Sequence, residues 1–339
     1  MATPTETVAA QPETAAEAVK RIEGLSDSLS AVRSAVGRVI TGLDDVVDET
    51  LITLLSGGHV LLIGVPGLGK TKLVETLSIV FGLDERRIQC TPDLMPADIL
   101  GSEVLDDVEG KGRSFRFLPG PVFSQLLMAD EINRASPRTQ SALLQAMQER
   151  RVSVAGQYHD LPCPFHVLAT QNPLEQEGTY PLPEAQLDRF MMQVTVTYPD
   201  MDAERQILLD TTGAHEIEPE RAMTPEQLLE AQRLIRHVPV ADGVVDMILR
   251  LVRAGRPELS DLEEVREHVA WGPGPRASQA LMLAVRARAV IDDRLAPSVE
   301  DVAALALPVL RHRMALNFAA RAEGVTLDAI IQRMLDAAG

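Results

Sequence analysis

At 339 residues, with 45% hydrophobic and 24% charged residues, the chain has the composition of a folded globular protein and more length than one hydrophobic core usually organises, so two domains are expected. A formal net charge of −17 excludes the basic stripe of a general nucleic-acid binder, and two isolated cysteines, Cys90 and Cys163, exclude a disulfide framework or zinc site and are expected as small buried hydrophobes. No run of eighteen apolar residues and no signal-peptide pattern is present, so a cytoplasmic chain without direct membrane insertion is expected.

Residues 1–18 are rich in Ala, Thr, Glu and Pro without an apolar period and read as a disordered acidic tail. Residues 19–55 show helical spacing interrupted near Gly37 and Gly42, which predicts two helices. Five short apolar segments follow, at 60–63, 87–90, 126–129, 166–169 and 192–196, and read as core strands. Helical patterns at 70–80 and 137–149 alternate with them, so residues 19–199 are expected to form an α/β domain with a parallel five-stranded sheet flanked by helices. Two insertions break the alternation. Residues 103–118 hold a polar centre between apolar flanks, and residues 151–161 alternate around Ala155-Gly156 as a hairpin would. From 200 to 339 long helical periods take over, broken by Pro273 and Pro275 before a helix at 277–289, which predicts an all-helical second domain.

The stretch Gly64-Val-Pro-Gly-Leu-Gly-Lys-Thr71 sits between the first strand and a helix, as a phosphate-binding loop requires. Glycines let the backbone approach phosphates, and the following helix directs its N-terminal N–H groups at the anion. Lys70 would add a full charge at the β- and γ-phosphates, and the Thr71 hydroxyl would ligate Mg²⁺. The strand at 126–129 runs into Asp130 and Glu131, which read either as the N-cap of the next helix or, beside a phosphate loop, as Mg²⁺ ligand and water-activating base respectively. Asn172 ends the next strand and suits either an Asn-Pro turn or a γ-phosphate contact. Arg189 precedes the final strand and is either simply solvated or an arginine finger toward a neighbouring subunit. Arg276 opens a helix of the second domain, placed to grip a nucleotide from the lid side. His215, His237, His268 and His312 form no ligand motif, and Met191-Met192 reads as core strand.

These residues resemble those of MoxR-type AAA+ ATPases, relatives of the magnesium chelatase ATPase subunits, from about Val36 to Met314; the most specific stretches are 58–71, 89–98, 117–123, 129–135 and 169–190. The resemblance implies a P-loop AAA+ core with a helical lid. It implies Walker A at Gly64 to Thr71, with Gly64, Pro66, Gly67, Leu68, Gly69, Lys70, Thr71 and the following Lys72 binding the nucleotide, Walker B at 126–131, sensor 1 at Asn172, an arginine finger at Arg189 and sensor 2 at Arg276. Residues 103–118 become the helix-2 insert, 151–161 the pre-sensor-1 hairpin, and Val39 and Ile40 line the adenine pocket. Leu43, where the family often has Gln, and Gly272-Pro-Gly-Pro-Arg276, where Gly-Ala-Ser-Pro-Arg is usual, depart from the pattern. The implied function is an ATP- and Mg²⁺-dependent, chaperone-like ATPase in a ring, usually a hexamer, that remodels or matures a protein client with a von Willebrand factor A domain partner. A chelatase-like motor for metal insertion and a nucleic-acid motor are the alternatives, the latter opposed by a hairpin arm, 152–159, that lacks lysine.

Overall fold

Strands buried on both faces need apolar side chains at successive positions, and helices must cover both faces of the sheet they form. In the computed structural model, which describes residues 15–108, 112–175, 177–213 and 217–339, the chain begins with helices α1 (Ala15–Gly37) and α2 (Asp44–Leu55). It continues through β1 (Val60–Ile63), α3 (Lys70–Phe81), β2 (Glu85–Gln89), α4 (Pro96–Leu100), the ribbon strands β3 (Gly101–Val108) and β4 (Gly112–Pro119), and β5 (Leu126–Asp130). Helix α5 (Pro137–Glu149), the hairpin β6 (Arg151–Val154) and β7 (Gln157–Asp160), β8 (His166–Gln171), the short α6 (Glu184–Leu187) and β9 (Met192–Thr195) complete this part. The main sheet has the order β2-β5-β8-β1-β9, and every neighbouring pair is parallel.

Alternation assigns each strand's side chains to two cores. Val60, Leu62, Leu126, Met128 and Leu168 join one core with α1, α2 and α3, while Leu61, Leu127, Ala129, Val167 and Ala169 join the other with α5. Strand β2 is an edge and buries only Ile88, leaving Arg86, Arg87 and Gln89 exposed. It starts at Glu85 rather than at 87, because a half-covered edge strand is mostly polar and hides its own beginning. Ser136 caps α5 by accepting from the Thr139 N–H at 3.3 Å, with Pro137 at the first helical position.

The segment at 103–118 forms the antiparallel β3–β4 ribbon, which pairs Glu103 with Phe117 and Leu105 with Phe115; residues 109–111 of its polar centre lie outside the described residues. The β6–β7 hairpin turns through Ala155 and Gly156 at φ 49° and 81°, as a two-residue turn between twisted strands requires. Phe117 of the ribbon stacks on His159 of the hairpin with centroids 3.9 Å apart, which joins the two insertions. Helix α1 begins at Ala15, inside the stretch expected to be a tail, because Ala and Glu favour helix once the following apolar face is packed; residues 1–14 lie outside the described residues. Cys90 is buried, but Cys163 is exposed, since it falls in the loop between β7 and β8 rather than in a strand. Of the histidines without a motif, His237 is exposed, His268 is half-buried and His312 is buried, whereas His215 lies outside the described residues.

The remaining chain forms α7 (Met201–Thr212), α8 (Pro225–Ile235), α9 (Asp242–Ala254), α10 (Glu263–His268), β10 (Val269–Trp271), α11 (Pro275–Ile291), α12 (Val299–Leu310), β11 (Ala315–Leu316), α13 (Phe318–Ala322) and α14 (Leu327–Ala338). To the helices expected here it adds one short antiparallel ladder, β10 with β11. Arg313 fastens this region to the sheet. Its side chain is 2% exposed and donates to Asp188 Oδ1 at 2.8 Å, to the Met191 and Val309 carbonyls at 2.9 and 2.5 Å, and to the Phe190 and Asp188 carbonyls at 2.6 and 3.3 Å. His312 adds a bond to the Phe190 carbonyl at 2.9 Å.

Two buried histidines tie β8 to its surroundings in fixed tautomers. His59 Nδ1 accepts from the Val167 N–H at 2.9 Å, so its Nε2–H faces the Met147 carbonyl at 3.3 Å. His166 Nδ1–H donates to the Gly58 carbonyl at 2.8 Å, leaving Nε2 to accept from Gln232 of α8 at 3.1 Å. Burial pushes their pKa values down to about 3 and about 4 respectively. Below the unfolded value near 6.5 the unfolded chain takes up protons that the native state refuses, so stability is lost as pH falls from there toward 4. Denaturant melts between pH 7 and pH 5 are expected to lose up to about 1.4 kcal/mol per pH unit for each histidine. Replacing His166 with Gln should flatten that slope, and an unchanged slope would contradict the neutral buried state.

Candidate active site

Three strand ends meet where the strand order reverses. The chain leaves β1, which lies between β8 and β9, and crosses to the far edge, so the carboxyl ends of β1, β5 and β8 open on a common crevice. A cleft of about 330 Å³ there is lined by Pro66, Gly67, Leu68, Gly69, Lys70, Thr71, Arg87, Asp130, Glu131, Thr170 and Asn172. Most of the side chains expected at a nucleotide are therefore together. Gly64 forms the base of the loop, where an added Cβ would lie 2.7 Å from the Val196 carbonyl oxygen, so the residue just after β9 packs against bare backbone. Gly67 and Gly69 hold φ of 86° and 73°, the left-handed conformations through which the loop wraps before α3 begins. Lys72 lies in the first turn of α3 and is not among the lining residues.

The cleft is charge-compensated from within. The Lys70 ammonium donates to the carbonyl oxygens of Gly64 at 2.8 Å and Val65 at 2.7 Å. Burial lowers its pKa, and the nearby Asp130 and Glu131 act in the opposite direction. Asp130 Oδ2 accepts from Arg87 Nη2 at 2.6 Å, while Oδ1 accepts a short bond from the Thr170 hydroxyl. The Thr170 oxygen in turn accepts from the Glu131 N–H at 2.9 Å. Glu131 has φ 54°, a left-handed conformation that side chains rarely adopt and that tends to be kept where function over-determines it. Its Oε2 accepts from Gln89 Nε2 at 2.9 Å and from Arg134 Nη1 at 3.1 Å. Asn172 is buried and its side-chain oxygen accepts from the Leu174 N–H at 3.1 Å, so it forms the turn and lines the cleft at once. The neighbouring Cys90 thiol, pushed up to about 12 by burial and then by Asp130 and Glu131, is no nucleophile.

The donor set fits a nucleotide with a divalent cation. First-turn N–H groups of α3 have no helical partner, Lys70 turns its charge onto loop carbonyls that an anion would replace, and Thr71 and Asp130 are oxygen donors of the kind Mg²⁺ takes. Among the described residues no cluster of three or more His, Cys, Asp or Glu side chains forms a separate metal site.

Besides Lys72, the expected residues Val39, Ile40, Arg189 and Arg276 do not line the cleft. Val39 and Ile40 follow α1 and share an apolar cluster with Leu68, but they do not line the cleft. Arg189, just beyond α6, donates Nη1 to the Leu144 carbonyl at 2.6 Å and leaves Nε buried without a partner. Arg276 sits 3.7 Å from Asp188 rather than over the cleft of its own chain, because the Arg313 contacts hold the helical region on the β9 side. Arg189 and Arg276 are thus neighbours around Asp188, and burial followed by the Arg276 charge lowers the Arg189 pKa. Sequence reasoning missed Arg87, Gln89, Arg134 and Thr170. The signal for the first two was a polar alternation, Arg87 and Gln89, on the strand paired in register with Asp130.

Residues 59–192 match the model of the ATPase family associated with various cellular activities, and residues 262–334 match the AAA lid domain. Chaperone MoxR1 of Mycobacterium tuberculosis is 42% identical over 318 residues, covering 92% of this chain and 83% of that protein. Protein MoxR of Paracoccus denitrificans is 30% identical over 323 residues, covering 90% and 93%. A crystal structure of a Cytophaga hutchinsonii protein assigned as an ATPase superposes with a TM-score of 0.87 at 37% identity, covering 95% of this chain and 97% of that one. Because the likeness runs through both the cleft-bearing sheet and the helical lid, the chain belongs to the MoxR family of AAA+ ATPases.

Proposed function

We propose that the chain hydrolyses ATP to ADP and phosphate as a subunit of a homo-oligomeric ring, a hexamer, and uses the cycle to remodel or mature a protein client. The observation that carries this is the junction of Lys70 and Thr71 with Asp130, Glu131 and Asn172 in one cleft at the carboxyl ends of β1, β5 and β8. Loop N–H groups and Lys70 bind the phosphates, and Thr71 and Asp130 hold Mg²⁺, which neutralises phosphate charge when bound. Glu131 takes the proton of the attacking water once it is released from Gln89 and Arg134, and Asn172 orients the terminal phosphate. The boundary between catalytic domain and lid is placed at 199/200.

Assembly is supported by the placement of Arg189 and Arg276 outside their own cleft, where each suits the nucleotide of a neighbour. It is further supported by α7, which has no buried residue and exposes Met201 (84%), Leu208 and Leu209. A protein client is supported by the joined insertions, which expose Leu105, Phe115 (71%) and Tyr158, and by the chaperone name of the M. tuberculosis relative. A partner with a von Willebrand factor A domain and a cytoplasmic location rest on the family resemblance and are part of the same proposal.

Three substitutions separate the steps. Lys70→Ala should weaken ATP binding at least tenfold by calorimetry, and unchanged binding would remove the phosphate-loop assignment. Glu131→Gln should bind ATP, lose roughly 10²- to 10⁴-fold in turnover and accumulate as an ATP-loaded oligomer; normal phosphate release would show that Glu131 does not handle the water. Arg189→Ala should keep ATP affinity and lose about 10³-fold in turnover, whereas full hydrolysis would take the finger role from this arginine.

A further inference from the structure

Arg87 is the only cation besides Lys70 among the described residues that line the cleft. It stands on the edge strand β2, on the opposite face from the buried Ile88, and reaches Asp130 Oδ2 at 2.6 Å from a side chain that is 47% exposed. Asp130 is the better covered partner at 15%, and its other oxygen is taken by Thr170. Oδ2 is therefore the oxygen of Asp130 that a metal ion would need, and a guanidinium already holds it. A monovalent and a divalent cation cannot share one carboxylate oxygen without strong repulsion, so the arrival of the metal must expel Arg87. The side chain is tethered to a strand that five register pairs fix against β5, so it can swing but not leave. Gln89 Oε1 lies 3.4 Å from Arg87 Nη2, too long for a strong hold, and the other carboxylate of the cleft, Glu131, is already bonded to Gln89 and Arg134. The anion left for the freed guanidinium is a phosphate, whose oxygens match its planar fork of donors.

We propose that Arg87 is a carboxylate-to-phosphate switch: it occupies Asp130 until Mg²⁺-nucleotide binds, then donates to the terminal phosphate, so that metal and triphosphate bind together or weakly. This rests on the assignment of the cleft to Mg²⁺-nucleotide. It makes Arg87 an internal competitor of Mg²⁺ and a determinant of the preference for triphosphate over diphosphate.

The test is calorimetric binding of AMP-PNP and of ADP to the full chain across a Mg²⁺ series, for the wild type, Arg87→Gln and Arg87→Lys. The Gln variant, on an exposed edge position, should bind with a several-fold lower Mg²⁺ midpoint and lose roughly tenfold in the AMP-PNP to ADP affinity ratio. Lys should restore the Mg²⁺ midpoint, because it keeps the charge, but only part of the ratio, because it lacks the fork. An unchanged midpoint and ratio in Arg87→Gln would reduce Arg87 to a static ion pair, and a raised midpoint would mean that it supports the metal site; either overturns the switch. Wild-type protein that binds neither nucleotide at any Mg²⁺ concentration would overturn the assignment of the cleft itself, and the switch with it.

Discussion

Parallel pairing forces the carboxyl ends of β5, β8 and β1 to the same edge of the sheet, and the reversal of strand order at β1 keeps that edge open. Everything placed in the cleft follows from this constraint. The glycine loop follows β1, the paired carboxylates lie at the end of β5 and the amide follows β8, and the edge strand β2 adds Arg87 from the side. The constraint also brings together two cations, Lys70 and Arg87, and two carboxylates, Asp130 and Glu131, within one small volume. Each is held by a partner in the cleft or in the loop around it, so the site carries little unpaired charge of its own. A polyanion arriving alone would displace this balance; one arriving with a divalent cation restores it, because the metal takes the carboxylate that the guanidinium gives up.

A second centre, Asp188, governs how the lid meets the sheet. Its carboxylate and backbone carbonyl receive the buried Arg313, and Arg276 stands beside it. Breaking a buried pair of this kind costs several kcal/mol, about 3–5, so the segment from Asp188 to Met191 is firmly tied to the helical region. Arg189 lies inside that segment and Arg276 next to it. Any movement of the lid relative to the sheet would therefore be felt at the two arginines proposed to serve a neighbour, while the loop and carboxylates of the chain's own cleft sit on the sheet alone. In the proposed ring the nucleotide of one subunit and the lid of the next would be parts of one device, and the joined insertions present an exposed aromatic surface for the proposed client.

The central strands were legible because burial on both faces leaves apolar runs, and Val60–Ile63 begins and ends where the periodicity places it. The loop at 64–71 and helix α5 were equally readable, since their turn and cap chemistry is local. Reading failed where identity depends on a distant partner. Thr170 lies in an apolar strand and looks like filler, yet it bonds both Asp130 and Glu131 from forty residues away. Arg313, in a basic stretch that suggests a solvated surface, is buried because Asp188 lies 125 residues earlier in the chain and opposite it in space. For Arg276, motif spacing says nothing of which side of the sheet the lid occupies, and its place beside Asp188 came only with the fold.

The claim that joins these observations is that an intact cleft in one copy needs intact arginines from another. It is tested most directly by co-expressing Lys70→Ala and Arg189→Ala chains and measuring ATP turnover of the mixed assembly. In a randomly mixed ring, about a quarter of the interfaces join the intact cleft of an Arg189→Ala chain to the intact arginine of a Lys70→Ala chain. Turnover well above the sum of the two pure variants is the expected result; turnover no greater than that sum, in assemblies shown to contain both chains, would contradict completion of the site across subunits.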